Sequence, residues 1–210
     1  MSKTKQKILD VSKDLFNEKG YNHVTIRMIA LRLGISSGNL NYHYKKREEI
    51  LEGLYFEMVE SFDKRIDDLP KTEISFSQIK NDIKLSMVRM LDYKFIWTDL
   101  FNILRANDKI SVHFNEAYKN RIGGSLFLFG KLKEMGLMCS ASCPKEYEML
   151  AERMVNFGDT WIYTSEVYLK KSNDKYVENE ALGMLGMIYP NLTKKGKEAF
   201  EKEIPNWFIE

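Results

Sequence analysis

Cysteine, histidine and proline are scarce in this chain: two, three and four residues respectively among 210. Cys139 and Cys143 stand in Cys-Ser-Ala-Ser-Cys. Two thiols are too few for a disulfide framework, and no further soft ligands lie near them in sequence, so inert reduced thiols are expected and no metal site. His23, His43 and His113 are scattered. No glycine-rich phosphate loop, His-Glu zinc pattern or Gly-x-Ser-x-Gly elbow occurs, so neither catalysis nor a cofactor is expected. No apolar run approaches the ~18 residues that span a bilayer. The opening Met-Ser-Lys-Thr-Lys-Gln-Lys has no apolar stretch after its charges, which predicts no secretory signal and a cytoplasmic protein. The four prolines (Pro70, Pro144, Pro190, Pro205) fall between periodic segments, as helix punctuation should.

What is present describes a globular, helical chain. Hydrophobic residues make up 44% and charged residues 30%, and the net charge is +2. That small charge hides an asymmetry. Residues 1–47 carry ten lysines and arginines against three acids (Asp10, Asp14, Glu18), so the remainder is net acidic. A basic front end on an acidic body suits a polyanion partner for the front end, although charge alone describes a solvated face more readily.

Apolar residues recur at helical spacing throughout, and alternating strand patterns with hairpin turns are missing. A first helix is expected from about Lys5 to Asn17, with Ile8, Val11 and Leu15 as its stripe and Gly20 as its stop. Thr25 caps a short second helix whose inner side is Ile26, Ile29, Ala30 and Leu33, with Val24 and Ile29 placed as a staple. Gly34 turns the chain, and Ser36 or Ser37 caps a third helix ending near Tyr44. A longer helix from about Arg47 to Asp67 follows, with Pro70 ending the segment. Further helices are expected near 76–91, 94–105, 109–135, 144–171, 176–189 and 194–203. Pro144 suits a first helical turn. Gly183 and Gly186 lie inside a helical pattern, which costs roughly 1 kcal/mol each and suggests close approach of another backbone.

The stretch Thr25-Ile-Arg-Met-Ile-Ala-Leu-Arg-Leu-Gly-Ile-Ser-Ser-Gly-Asn-Leu-Asn-Tyr-His-Tyr44 is the most informative part. Two short helices joined at Gly34, the second polar and aromatic outside, are how a helix-turn-helix meets the major groove. With Leu40 and Tyr44 turned inward, Ser37, Gly38, Asn39, Asn41, Tyr42 and His43 face out. Asparagine pairs with adenine through both amide atoms, and tyrosine meets a thymine methyl or a phosphate. Lys45, Lys46 and Arg47 follow where flanking phosphates would lie. Thr25, Arg27 and the capping Ser36 add a hydroxyl, a guanidinium and helix N–H groups for the backbone of the duplex. A compact helical turn with a merely wet surface is the plain alternative.

The segments Ile8-Leu-Asp-Val-Ser-Lys-Asp-Leu-Phe-Asn-Glu-Lys-Gly-Tyr21, Thr25-Ile-Arg-Met-Ile-Ala30, Leu33-Gly-Ile-Ser-Ser-Gly-Asn-Leu-Asn-Tyr-His-Tyr-Lys45 and Glu48-Glu-Ile-Leu51 resemble the TetR-like transcriptional regulators. Tyr93-Lys-Phe-Ile-Trp-Thr-Asp-Leu-Phe-Asn-Ile-Leu-Arg105 is similar to one branch of them. Asn41 departs from the tyrosine often found there, which leaves base preference open. The resemblance implies an all-α protein. Its three-helix helix-turn-helix domain (1–47) would join, through a connecting helix (48–70), a helical ligand-binding and dimerisation domain (71–210). It further implies a homodimer through helices 144–171 and 176–189, a near-palindromic double-stranded operator, and a repressor released by a small molecule.

Aromatic residues are plentiful beyond position 90, and helix bundles enclose pockets lined by such side chains. Trp97, Phe101, Arg105, His113, Phe157 and Trp161 are the candidate ligand-binding residues, with Arg105 and His113 orienting a polar or anionic group. Core or dimer packing is the plainer explanation for any single one of these aromatics. A constitutive DNA-binding protein with a filled body and no effector therefore stays open, as does a helical small-molecule carrier.

Overall fold

The computed structural model describes residues 2–66, 74–170, 173–205 and 207. Eleven α-helices are found among them. They are α1 (Lys3–Lys19), α2 (Ile26–Leu33), α3 (Ser37–His43), α4 (Arg47–Ile66), α5 (Phe76–Asp92), α6 (Lys94–Thr98), α7 (Leu100–Ala106), α8 (Asp108–Glu134), α9 (Glu146–Val167), α10 (Asp174–Gly186) and α11 (Lys194–Glu203). Among the described residues, short 3-10 turns also lie at Tyr21–His23 and Tyr189–Asn191. The only pairing of strand type among the described residues is an isolated bridge between Met138 and Leu192. No helix among the described residues is long and apolar enough to cross a membrane. The expected end of α4 near Asp67 and Pro70, and that of α9 at position 171, lie outside the described residues.

The chain forms two compact units, residues 1–70 with 89–112 and residues 71–88 with 113–210. Residues 89–112, assigned from sequence to the body, thus pack with the amino-terminal helices. The reasons are specific. Asn17, in the last turn of α1, accepts the Phe95 N–H (3.0 Å) and donates to the Asp92 carbonyl (2.9 Å). The rings of Phe16 and Phe95 meet at 5.1 Å. The Tyr93 hydroxyl donates to Glu57 on α4 at 2.8 Å, and burial followed by this carboxylate raises the phenol above its ordinary value. Asn107 and Lys109 both donate to Glu52, also on α4.

Within this first unit α1 buries Ile8, Leu9, Leu15 and Phe16, and Ser2 caps it by accepting the Lys5 N–H. Its α4 neighbour buries Ile50, Leu51, Leu54, Tyr55 and Met58. The helix expected over 94–105 is two helices, broken at Asp99, whose φ of −124° and ψ of 21° are not helical. Asn22 and Asn102 both donate to the Asp99 carboxylate, which holds the break.

The second unit is built around Phe76, Phe129, Met154, Leu185 and Phe200. Phe200 meets the rings of Phe76, Tyr189 and Trp207. A Cβ at Gly196 would fall on the Leu137 carbonyl, so glycine lets α11 lie against that backbone. Between α8 and α9, Arg121 grips Asp159 through both terminal guanidinium nitrogens, at 2.5 and 3.1 Å. Burial nonetheless raises the Asp159 carboxyl above its usual range, with Arg121 opposing.

Two sequence expectations fail here. Pro144 is not in the first turn of α9, because Lys145 takes a left-handed conformation (φ 64°) and the helix starts at Glu146. Gly186 accommodates the Trp207 ring rather than another backbone, while the space beside Gly183 is open.

Candidate nucleic-acid interface

The geometry of α2 and α3 is set by three local devices. Thr25 accepts the Met28 N–H at 3.3 Å and starts α2. Gly34, at φ 69° and ψ 28°, takes the left-handed conformation that only glycine adopts without cost, and the Ile35 N–H closes onto the Ala30 carbonyl. Ser36, rather than Ser37, then accepts the Asn39 N–H at 3.1 Å and starts α3. Val24 and Ile29 are both fully buried, as the staple requires.

Side chains divide around α3 as the spacing predicts, except at Ser37 and His43. Leu40 is fully buried and Tyr44 nearly so. Gly38, Asn39, Asn41 and Tyr42 are exposed, Tyr42 at 85%, whereas Ser37 and His43 are half-buried. The Tyr42 and His43 rings meet edge to face at 5.2 Å. Among the described residues the side-chain amides of Asn39 and Asn41 make no hydrogen bond. Thr25, Arg27, Ser36, Lys45 and Lys46 are also exposed.

Arg47 differs from the other cations. Its guanidinium donates to the carbonyls of Tyr21 (3.0 Å) and Val24 (2.9 Å) and lies 4.1 Å from the centre of the Tyr21 ring. It ties the 21–24 turn to the start of α4, so it is not a free side chain on the surface. Glu49, overlooked in the sequence, accepts the Lys45 N–H at 2.9 Å and fixes the bend carrying Lys45 and Lys46. An acid three positions into a helix is the signal that would have found it.

The ligand candidates are dispersed. Trp97, Phe101 and Arg105 belong to the first unit and His113, Phe157 and Trp161 to the second. Phe101 is 70% exposed, with the Arg105 guanidinium 5.5 Å from its ring centre. Trp97 and Trp161 are core residues, and His113 and Phe157 are half-buried. None of these side chains lines either of two surface depressions found among the described residues: about 370 Å³ by Phe129, Cys143 and Tyr147, and about 420 Å³ by Leu15, Met28 and Leu31. Both cysteines are free and exposed.

Comparison with known proteins agrees with this architecture. Residues 8–54 match the family described as bacterial regulatory proteins, tetR family, and residues 57–200 match that described as bacterial transcriptional repressor, TetR. The chain is 27% identical over 113 residues to the biofilm operon icaADBC HTH-type negative transcriptional regulator IcaR of Staphylococcus epidermidis, covering 54% of each chain. Curated relatives are matched over about a third to six tenths of their own length. A TetR-family regulator from Marinobacter aquaeolei VT8 has the same fold, with a TM-score of 0.85 at 21% identity over 98% of this chain and 99% of that one. So does a regulator from Saccharomonospora viridis in complex with choline, with a TM-score of 0.70 at 18% identity over 92% and 100% of the respective chains. The chain belongs to the TetR family of DNA-binding transcriptional regulators.

Proposed function

We propose that this regulator is a cytoplasmic repressor that binds a near-palindromic operator as a homodimer and is released by a small-molecule ligand. The observation that carries the DNA reading is the outer face of α3, where Asn39, Asn41 and Tyr42 project without intramolecular hydrogen bonds beside a cationic bend. Asn39 and Tyr42 read base edges, with Ser37, Gly38, Asn41 and His43 beside them, while Thr25, Arg27, Ser36, Lys45 and Lys46 hold phosphates. Arg47 supports this surface from behind. Two such headpieces reach successive major grooves, about 34–36 Å apart or a little more.

Residues 1–47 carry DNA contact, 48–70 the connection, and 71–210 ligand response and dimerisation, with 89–112 passing any change to α1. The IcaR likeness supports repression, and the choline complex of the S. viridis regulator supports a small organic effector. That Trp97 and Trp161 are core residues favours a second reading, a DNA-binding protein with no effector. Dimerisation through α9 and α10 is supported by the exposed Tyr163 and Val167 and by the open space at Gly183.

Gel-shift titration on genomic fragments selected by the purified protein tests the proposal. Asn39→Ala and Tyr42→Ala should each weaken the selected fragment by about 1–3 kcal/mol relative to random DNA. Lys46→Ala should weaken all sequences alike and lower the salt slope by about one. Equal losses on selected and random DNA for Asn39→Ala would refute base reading. Screening metabolites, choline among them, for release of the shifted band separates the effector reading from the constitutive one.

A further inference from the structure

The loop that leads into α9 holds chemistry that DNA binding does not use. Cys143, a free and exposed thiol, lines the depression of about 370 Å³ on the second unit. The floor is made by the Phe129 and Tyr147 rings, both buried, with centres 5.7 Å apart. Lys133 and Lys145 stand exposed at the rim, with one carboxylate, Glu148, beside them. The Lys133 ammonium lies 5.1 Å from the centre of the Tyr147 ring, which puts its charge over the floor. Among the described residues neither lysine side chain makes an ion pair or a hydrogen bond.

The loop is firmly held. Asn191 ties both its ends: its carbonyl accepts the Cys139 N–H at 2.9 Å, and its amide donates to Glu146 at 2.6 Å. Glu146 in turn accepts the Ser142 N–H. The Tyr147 hydroxyl donates to the Cys139 carbonyl at 2.5 Å. Lys145 sits at φ 64°, a left-handed conformation that residues with a side chain rarely adopt. A nucleophile, an aromatic floor and two unpaired cations are thus fixed in one depression before any ligand arrives. An anionic group there gains charge-assisted hydrogen bonds, while an apolar part covers the rings.

We propose that this depression is a covalent site for a small disulfide that carries a carboxylate. The ligand's apolar part lies on Phe129 and Tyr147, its carboxylate meets Lys133 and Lys145, and Cys143 captures one sulfur. The Cys143 thiol gives its proton to water, and the thiolate attacks one sulfur of the ligand. A new S–S bond forms as the old one breaks, and the departing thiolate takes up a proton. One mixed disulfide and one free thiol result, and free thiols reverse the step. The rim makes the selection, because its ammoniums outnumber its carboxylate and favour an acidic disulfide over a neutral one. Cys139 shares the loop but does not line the depression, so it lacks this preference.

Single-thiol forms of the full chain test this. Cys139→Ser leaves Cys143, and Cys143→Ser leaves Cys139 as the control. Each form is mixed with dithiobis-nitrobenzoate, an anionic aromatic disulfide, and with neutral dithiodipyridine, and the coloured thiol released gives the rate. The ratio of anionic to neutral rates should be about tenfold higher at Cys143 than at Cys139, and should fall as salt is raised. Lys133→Gln with Lys145→Asn, added to Cys139→Ser, should bring the ratio to within about twofold of that at Cys139 while the neutral rate holds. Asparagine is chosen at 145 because it tolerates the left-handed backbone. Equal ratios at the two thiols, or a ratio at Cys143 that the lysine substitutions leave unchanged, overturn the proposal. The salt series reads the same charges with both lysines in place, so a Cys143 ratio indifferent to salt overturns it as well.

Discussion

The outer faces of α3 and α9 are both exposed, yet they are held in opposite ways. The seven residues of α3 are placed by one buried leucine, a serine cap, a left-handed glycine and a neighbouring arginine that grips backbone carbonyls. The 22 residues of α9 are placed by a continuous buried back with nine buried side chains. A short recognition element therefore owes its aim to a few separate points, any of which can fail alone. A long helix averages its position over many contacts and fails only as a whole.

Deleting the main anchor of α3 should separate the two most. Leu40→Ala should cost about 2–5 kcal/mol locally. Hydrogen exchange over 36–44 should accelerate accordingly, while exchange in α9 stays unchanged. Uniform acceleration in both units would break the comparison.

Arg47→Ala should come next, at about 2 kcal/mol, because the Tyr21 and Val24 carbonyls lose a charged donor. Its thermal midpoint should fall although no exposed phosphate contact is removed, whereas Lys46→Ala should leave that midpoint in place. Arg47→Lys should rescue poorly, since one ammonium cannot both stack on Tyr21 and bridge two carbonyls. Ser36→Ala should cost about 1 kcal/mol by leaving the Asn39 N–H without its cap, measured in urea and in operator affinity together. If affinity stays constant, the cap does not aim the helix.

The smallest effect belongs to the back of the long region. Glu178 on α10 receives Lys80 and Lys84, both at 2.6 Å. The hydrogen bond from Lys80, then that from Lys84, lowers its carboxyl pKa. A lowered folded-state value gives stability that is full above the ordinary 4.5 and is lost as pH falls through the folded value. Because the group is partly exposed, Glu178→Gln should cost only about 0.5 kcal/mol at pH 7. The difference from wild type in urea midpoint should shrink as pH falls below the ordinary 4.5, and a difference that grew toward acid would have the wrong sign.

What could be read from the sequence follows from what periodicity encodes. Helix positions were legible because apolar spacing of three and four marks a buried face whatever it packs on. The outer face of α3 was legible because Leu40 and Tyr44 alone could turn inward. Packing partners were not legible in this way. Nothing in 89–112 announces Asn17, Glu52 or Glu57 as its neighbours, although its contacts tie it to α1 and α4. Arg47 stood in a basic run and looked like its neighbours, because backbone carbonyls leave no mark in sequence. The break at Asp99 and the late start of α9 turn on single residues outside helical geometry, which an apolar stripe runs straight through. Aromatic residues gave no guide to a cavity, since core and pocket use the same side chains.

The clamp made by Asn17 has a mechanical consequence. One amide holds the carbonyl that closes α5 and the N–H that opens α6, so the bend at 92–95 has no play against the last turn of α1. Any tilt of that bend becomes a tilt of α1, and with it of the grip on duplex DNA, instead of being absorbed in slack between helices.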